Sequence, residues 1–212
     1  MRTGLSALAE LADAIRDIDA TDTAGWLAID HTLREWADRP GRSRELHTYL
    51  HAMPADEIAG VVARSKETTT HFAWSLYDRP DDPFSLWLHE YKPCRAWLPG
   101  YANSVHNHRY HFCTILLAGS YLHERFTADL NDTGTVIRSV VRTRASRYVA
   151  GCGGHLLSHE FHRIPTAADG TVTFLVKSRM VTPWSVSYDP DTGLSQQHIP
   201  MTTRLAQLAG RF

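Results

Sequence analysis

The stretch Ser104-Val105-His106-Asn107-His108-Arg109-Tyr110-His111-Phe112-Cys113-Thr114-Ile115-Leu116-Leu117-Ala118-Gly119 sets two histidines two positions apart, ahead of an apolar run. On a strand, residues i and i+2 face the same way, so His106 and His108 can both point into a barrel and share one cation. Residues 112–118 have strand composition, and Gly119 stands where the next hairpin must turn. A second motif follows in Gly151-Cys152-Gly153-Gly154-His155-Leu156-Leu157-Ser158-His159-Glu160-Phe161-His162-Arg163-Ile164. Its last histidine, His162, is the candidate third imidazole, with His159 and His155 as alternatives. Imidazole is a usual ligand of first-row metals such as iron, nickel, copper and zinc.

Outward from these motifs the period is two. Residues 71–77 alternate as a half-buried strand does, and strand-like runs recur at 84–91, 112–118, 120–126, 136–141, 172–177 and 184–188. Turn signals separate them, among them Asp81-Asp82-Pro83, Asn131-Asp132-Thr133-Gly134 and Asp189-Pro190-Asp191-Thr192-Gly193. Many short strands of this kind read as a sandwich or small barrel. The first third differs. Leu5, Leu8, Leu11, Ala12 and Ile15 recur at helical spacing, Trp26, Ile29, Leu33 and Trp36 mark a second helix, and further helices are expected over 43–51 and 54–63. The chain therefore divides into a helical cap over 1–66, a β-barrel over 67–198 and a C-terminal tail over 199–212. The tryptophan stripe is where the cap would dock, on the barrel or on another subunit.

Bulk properties exclude several classes. The 212 residues carry a net charge of -1, so neither a nucleic-acid groove nor an anionic membrane surface is indicated. No apolar run is long enough to span a bilayer. The N-terminus carries Glu10, Asp13, Asp17 and Asp19, unlike a signal peptide, so a cytoplasmic location is expected. The three cysteines Cys94, Cys113 and Cys152 are odd in number and widely spaced, which fits neither a disulfide framework nor a thiolate zinc site. Arg138, Arg142, Arg144 and Arg147 read as a solvated face.

Taken together, the H-x-H pair, Gly119, and the run from Gly151 to His162-Arg163-Ile164 resemble the two motifs of the cupin superfamily. The resemblance implies a mainly β jelly-roll barrel with His106, His108 and His162 as metal ligands. Most cupins place a further ligand, a glutamate, seven residues before the glycine that is Gly119 here; this chain has Phe112. Three histidines without a carboxylate resemble the thiol dioxygenases, and further segments resemble cysteine dioxygenase. Tyr77-Asp78-Arg79 looks like that family's Tyr-x-Arg segment, whose arginine grips the substrate carboxylate. Trp97-Leu98-Pro99-Gly100 looks like its Trp-x-x-Gly segment, and the likeness covers residues 70–195. Two departures stand out. The family's His-x-Tyr pair on a late strand is absent from residues 173–179, and Cys113 lies one residue out of phase with the cysteine that crosslinks to that tyrosine in mammalian members.

The resemblance implies an Fe(II) centre, O2 as co-substrate and a small carboxylate-bearing substrate, a thiol among the candidates. Zinc, nickel, manganese and copper suit the same donors. Arg79, Tyr77, Phe112 and Trp97 are the implied substrate contacts. His159 and His155 are candidate partners of the ligands, and Lys177 and Arg179 are alternative anion anchors. Each has a plainer reading: Arg79 in a surface ion pair beside Asp78, Asp81 and Asp82, Trp97 and Phe112 in the core, Cys113 as a small buried apolar residue. Two rival functions stay open, a non-redox metal-dependent isomerase, lyase or hydrolase, and a non-enzymatic small-molecule-binding cupin. A homodimer is compatible with the resemblance.

Overall fold

The computed structural model describes the backbone of residues 3–211 and the side chains from residue 7 to 211; the expected contact of Leu5 lies outside these described side chains. Four helices come first: α1 (Thr3–Arg16), α2 (Thr23–Ala37), α3 (Arg42–His51) and α4 (Ala55–Arg64). Asp22 caps α2, its Oδ1 accepting from the Gly25 backbone N–H at 2.9 Å, which satisfies a donor the helix itself cannot. Leu8, Leu11, Ala12 and Ile15 of α1 and Trp26, Ile29, Leu33 and Trp36 of α2 are all buried, as their spacing requires. Among the described residues no helix is long and apolar enough to cross a membrane.

Twelve strands follow: β1 (Lys66–Glu67), β2 (His71–Tyr77), β3 (Phe84–Tyr91), β4 (Val105–His106), β5 (Phe112–Ala118), β6 (Ser120–Leu130), β7 (Ile137–Val149), β8 (Gly153–Leu156), β9 (Phe161–Ala167), β10 (Val172–Ser178), β11 (Ser185–Tyr188) and β12 (Ser195–His198). They form two six-stranded antiparallel sheets, ordered β1-β2-β3-β10-β5-β8 and β12-β11-β4-β9-β6-β7. The architecture is mainly β, two antiparallel sheets with an N-terminal helical layer, as expected.

The first sheet is buried on both faces, and its alternation assigns each face. On β3, β5 and β10, Leu86, Leu88, Cys113, Ile115, Phe174 and Val176 join the core shared with the helices. Their neighbours Trp87, His89, Phe112, Thr114, Thr173, Leu175 and Lys177 line the barrel interior. The tryptophan stripe thus docks on this chain's own barrel: the Trp36 ring lies 4.8 Å from that of Phe174. Cys113 faces the helices too, its Sγ 3.4 Å from the Trp26 carbonyl, which explains its being out of phase with the interior.

Three boundaries differ from the sequence reading. The strand expected over 136–141 is the 13-residue β7, and its partner β6 runs to Leu130, because pairing from Ser120↔Val149 to Leu130↔Ile137 extends both arms of one hairpin. All four arginines lie exposed on β7, the solvated face expected of them. The stretch read as a tail contains helix α5 (Met201–Ala209), whose nine residues are all exposed. Between β5 and β6, Gly119 adopts φ 75°, and a Cβ there would sit 2.4 Å from Thr171 Oγ1 and 2.7 Å from its Cα. Only glycine makes that turn without strain.

Candidate metal centre

His106 ends β4, held in register by His162 of β9 on one side and Ser187 of β11 on the other. The strand stops there, so His108 is not placed by strand alternation. Asn107 does that work instead. Its side-chain amide donates to the Ser158 carbonyl at 3.0 Å, and its Oδ1 accepts from the Val186 N–H at 2.8 Å. Its own carbonyl accepts from the Tyr101 hydroxyl. With the loop pinned on three sides, His108 returns to the same point as His106.

One ring nitrogen from each of His106, His108 and His162 lies within 4.8 Å of the others. His106 donates from Nδ1 to the Ser104 carbonyl at 2.8 Å, which leaves Nε2 with its lone pair free. The Nε2 atoms of His108 and His162 face each other at 2.8 Å. Two ligands about 2.1 Å from one ion and at right angles to each other would lie about 3 Å apart. The spacing therefore fits adjacent ligands of one metal. Burial holds His106 down to about 4 and pushes His108 and His162 well below the usual imidazole range, so all three are neutral at pH 7, the form that ligates. The donor set fits a first-row divalent ion.

The cluster opens into a cavity of about 520 Å³. Trp87, Phe112, Leu156 and Leu175 supply apolar wall. Four cationic side chains line it, Lys66, Arg109, Arg125 and Lys177, and no aspartate or glutamate does among the described residues. Lys66 is exposed at the rim, and Arg125 is satisfied by Glu160 at 2.6 Å and the His155 carbonyl at 2.5 Å. Arg109 and Lys177 are not neutralised in this way. Arg109 Nη1 is buried without a hydrogen-bond partner. Lys177 Nζ lies 3.9 Å from the Trp87 ring centre and 4.4 Å from that of Tyr110. Burial, and then the charges of Lys66, Arg109 and Arg179, lower its pKa to about 7.

Of the residues singled out from the sequence, the structure brings together the three histidines, Phe112, His155 and Lys177. The Phe112 ring stands edge-on to His108 at 5.0 Å. The others are elsewhere. Pairing of β2 with β3 shifts register between Ser75 and Tyr77, a bulge that turns Tyr77 away from the interior and onto the helix side with Leu76. Tyr77 donates to Asp82 at 2.5 Å and stacks on Phe84, and Arg79 is exposed with its guanidinium 5.3 Å over the Tyr77 ring. Arg179 binds Asp78 at 2.5 Å and the Arg79 and Asp82 carbonyls. Trp97 packs on Tyr91, its Nε1 donating to the Lys92 carbonyl at 2.8 Å. His159 is exposed and does not line the cavity.

His123 Nε2 lies against His162 Nδ1. Sequence reasoning passed over Arg109, which lay inside the quoted stretch, and His71 and His89, whose rings stack at 4.3 Å in the cavity wall. Strand alternation on β2 and β3 gave a usable signal for that pair, since each lies two residues from another interior position.

No family model and no curated protein matches the chain. Solved structures of similar fold include oxalate decarboxylase from Bacillus subtilis at pH 4.6, 16% identical with a TM-score of 0.40 over 70% of this chain and 35% of that one. A second structure of the same enzyme, described for its Mn(II) centres, is 15% identical, with a TM-score of 0.38 over 60% and 30%. Vicilin from hazelnut, Corylus avellana, is 11% identical, with a TM-score of 0.37 over 53% and 29%. The chain thus spans about a third of the length of these structures. The chain itself shows two six-stranded antiparallel sheets with three imidazoles converging between them, a mainly β fold with a three-histidine cluster.

Proposed function

We propose that the chain is a mononuclear non-haem iron(II) dioxygenase of the cysteine dioxygenase type, acting on a small carboxylate-bearing substrate, thiols being among the candidates. The observation that carries the reading is the pairing of three neutral imidazoles with a cavity whose charged lining is wholly cationic. A divalent ion on such ligands keeps its full charge, so the substrate must supply the anion, as a thiolate or carboxylate does. Iron(II) held there supplies open positions for O2 and a substrate heteroatom. The chain's residues do the rest. His106, His108 and His162 hold the ion; Phe112 and Leu156 exclude water; the cationic wall orients the substrate. Arg79 has no part in this reading, since it lies outside the cavity.

The test is metal content and O2 uptake. Near-stoichiometric iron in the wild type, little in His106→Ala, and O2 consumption with a small thiol carboxylate are expected. An iron-loaded protein that consumes no O2 with any small thiol or amino acid overturns the reading. One feature favours a non-redox metal-dependent reaction instead: Thr173, Leu175 and Lys177 occupy the interior positions of β10, where cysteine dioxygenases carry a histidine and tyrosine. Turnover with zinc or nickel under anaerobic conditions would select that alternative.

A further inference from the structure

Two charged groups in the cavity lack the partners that buried charges ordinarily have. Arg109 Nη1 is buried and makes no hydrogen bond, although an unsatisfied guanidinium N–H costs on the order of 1–3 kcal/mol. Lys177 touches two ring faces and, among the described residues, makes no salt bridge. Both line the same cavity as the three histidines, and the charge of Arg109 bears on Lys177. Among the described residues no acid lines the cavity, and an anion entering it would satisfy the Arg109 N–H and favour the charged form of Lys177. Part of the wall beside them is apolar. Trp87, Phe112, Leu156 and Leu175 form an apolar core cluster with Tyr110 packed against it. At about 520 Å³ the cavity falls within the range of sites that hold drug-sized ligands, roughly 300–1,000 Å³.

We infer that Arg109 and Lys177 form the substrate anchor, and that they recognise a carboxylate on a flat apolar body, an arylcarboxylate being the simplest. The guanidinium fork meets the carboxylate edge, and the ammonium, held between Trp87 and Tyr110, adds the second charge. The apolar body lies against Phe112, Leu156 and Leu175, toward the histidines. This rests on the reading of the cavity as a substrate site and assigns the anchoring role that the sequence suggested for Arg79.

Calorimetric titration of the full chain with benzoate, benzamide and acetate tests it, in the wild type, Lys177→Met, Arg109→Gln and Arg79→Ala. Benzoate should bind at least tenfold more tightly than benzamide, which lacks the charge, and than acetate, which lacks the ring. Lys177→Met and Arg109→Gln should each weaken benzoate at least tenfold, and Arg79→Ala, outside the cavity, should leave it within about threefold. Equal binding of benzoate and benzamide, or of benzoate and acetate, overturns the proposal. So does undiminished benzoate binding in Lys177→Met and Arg109→Gln, or a loss in Arg79→Ala as large as in those two variants. The ligand comparison in the wild type needs no variant to fold. Benzoate binding as expected, with no O2 uptake on any thiol, would leave the anchor standing while the oxygenase reading fell.

Discussion

His123 Nε2 lies 3.0 Å from His162 Nδ1. Burial lowers the pKa of His123 to about 4, so it is neutral, and in the tautomer protonated on Nδ1 its Nε2 accepts the Nδ1 proton of His162. That fixes the tautomer of His162 with its Nε2 lone pair toward His106 and His108, and the Tyr148 ring braces His123 edge-on at 5.3 Å. His123→Leu should weaken metal binding by roughly 10–100-fold without unfolding the barrel, and His123→Gln, which keeps an acceptor, should restore much of it. Competitive metal titration against a chelating dye checks both.

Arg79→Ala should leave metal content and turnover unchanged. Its side chain is exposed and lies over Tyr77, on the far side of the β2 bulge from the cavity. Surface substitutions of this kind usually change stability by no more than about 0.5 kcal/mol. A large rise in KM for a carboxylate substrate would show that the arginine reaches the site after all.

Lys177 should make stability depend on pH. Its folded pKa of about 7 is below the unfolded value of about 10.4, so between the two the unfolded chain binds a proton that the folded chain does not. Stability therefore rises with pH across that window, by up to about 1.4 kcal/mol per unit. The groups acting on Lys177 are the cations Lys66, Arg109 and Arg179 and the anion Asp78, with His71 and His89 neutral in the same wall. Burial raises Tyr101 and Tyr110, which oppose the trend above about pH 10. Urea denaturation between about pH 7 and about pH 9.5 should show the rise in wild type and not in Lys177→Met.

Glu124 is 2% exposed and receives Arg142 and Arg163, each at 2.5 Å. Burial alone would raise its pKa, but the two guanidiniums outweigh it and hold the carboxyl below the usual range. Its stabilising contribution is thus present above the unfolded glutamate pKa and lost as pH falls through the lower folded value. Glu124→Gln should cost roughly 2–4 kcal/mol at neutral pH, because it leaves two cations uncompensated beside a buried amide. It should also flatten the acid limb of the stability profile, which denaturation at descending pH would reveal.

Gly119→Ala should destabilise the chain by roughly 2–3 kcal/mol. The new Cβ meets Thr171 backbone as well as its hydroxyl, in a left-handed conformation. Adding Thr171→Ser should recover little, since the clash with the Thr171 backbone, at 2.7 Å, remains. Thermal unfolding of the single and double variants checks both.

Much of this molecule follows from local spacing. Strands 71–77, 84–91 and 112–118 coincide with β2, β3 and β5, because runs of strand-forming residues bounded by turn residues are a local signal. The three histidines are legible for a related reason: each sits at or beside the end of a strand whose glycine and apolar pattern is local. The tertiary structure decided what spacing cannot carry. A bulge against β3 moved Tyr77 to the other face of its strand and took Arg79 with it, and nothing in residues 71–79 alone encodes a register shift imposed by a partner strand. The Asn107 bridge to Ser158 and Val186 aims His108 although its strand has ended, and it joins residues 51 and 79 positions apart. The position of His123 behind His162, and the burial of Arg109 and Lys177 in one chamber without an acid, arise only when the two sheets close. Direction along a strand is a property of the chain. Which groups meet across the barrel depends on register and closure, and those are set by contacts between residues far apart in the sequence.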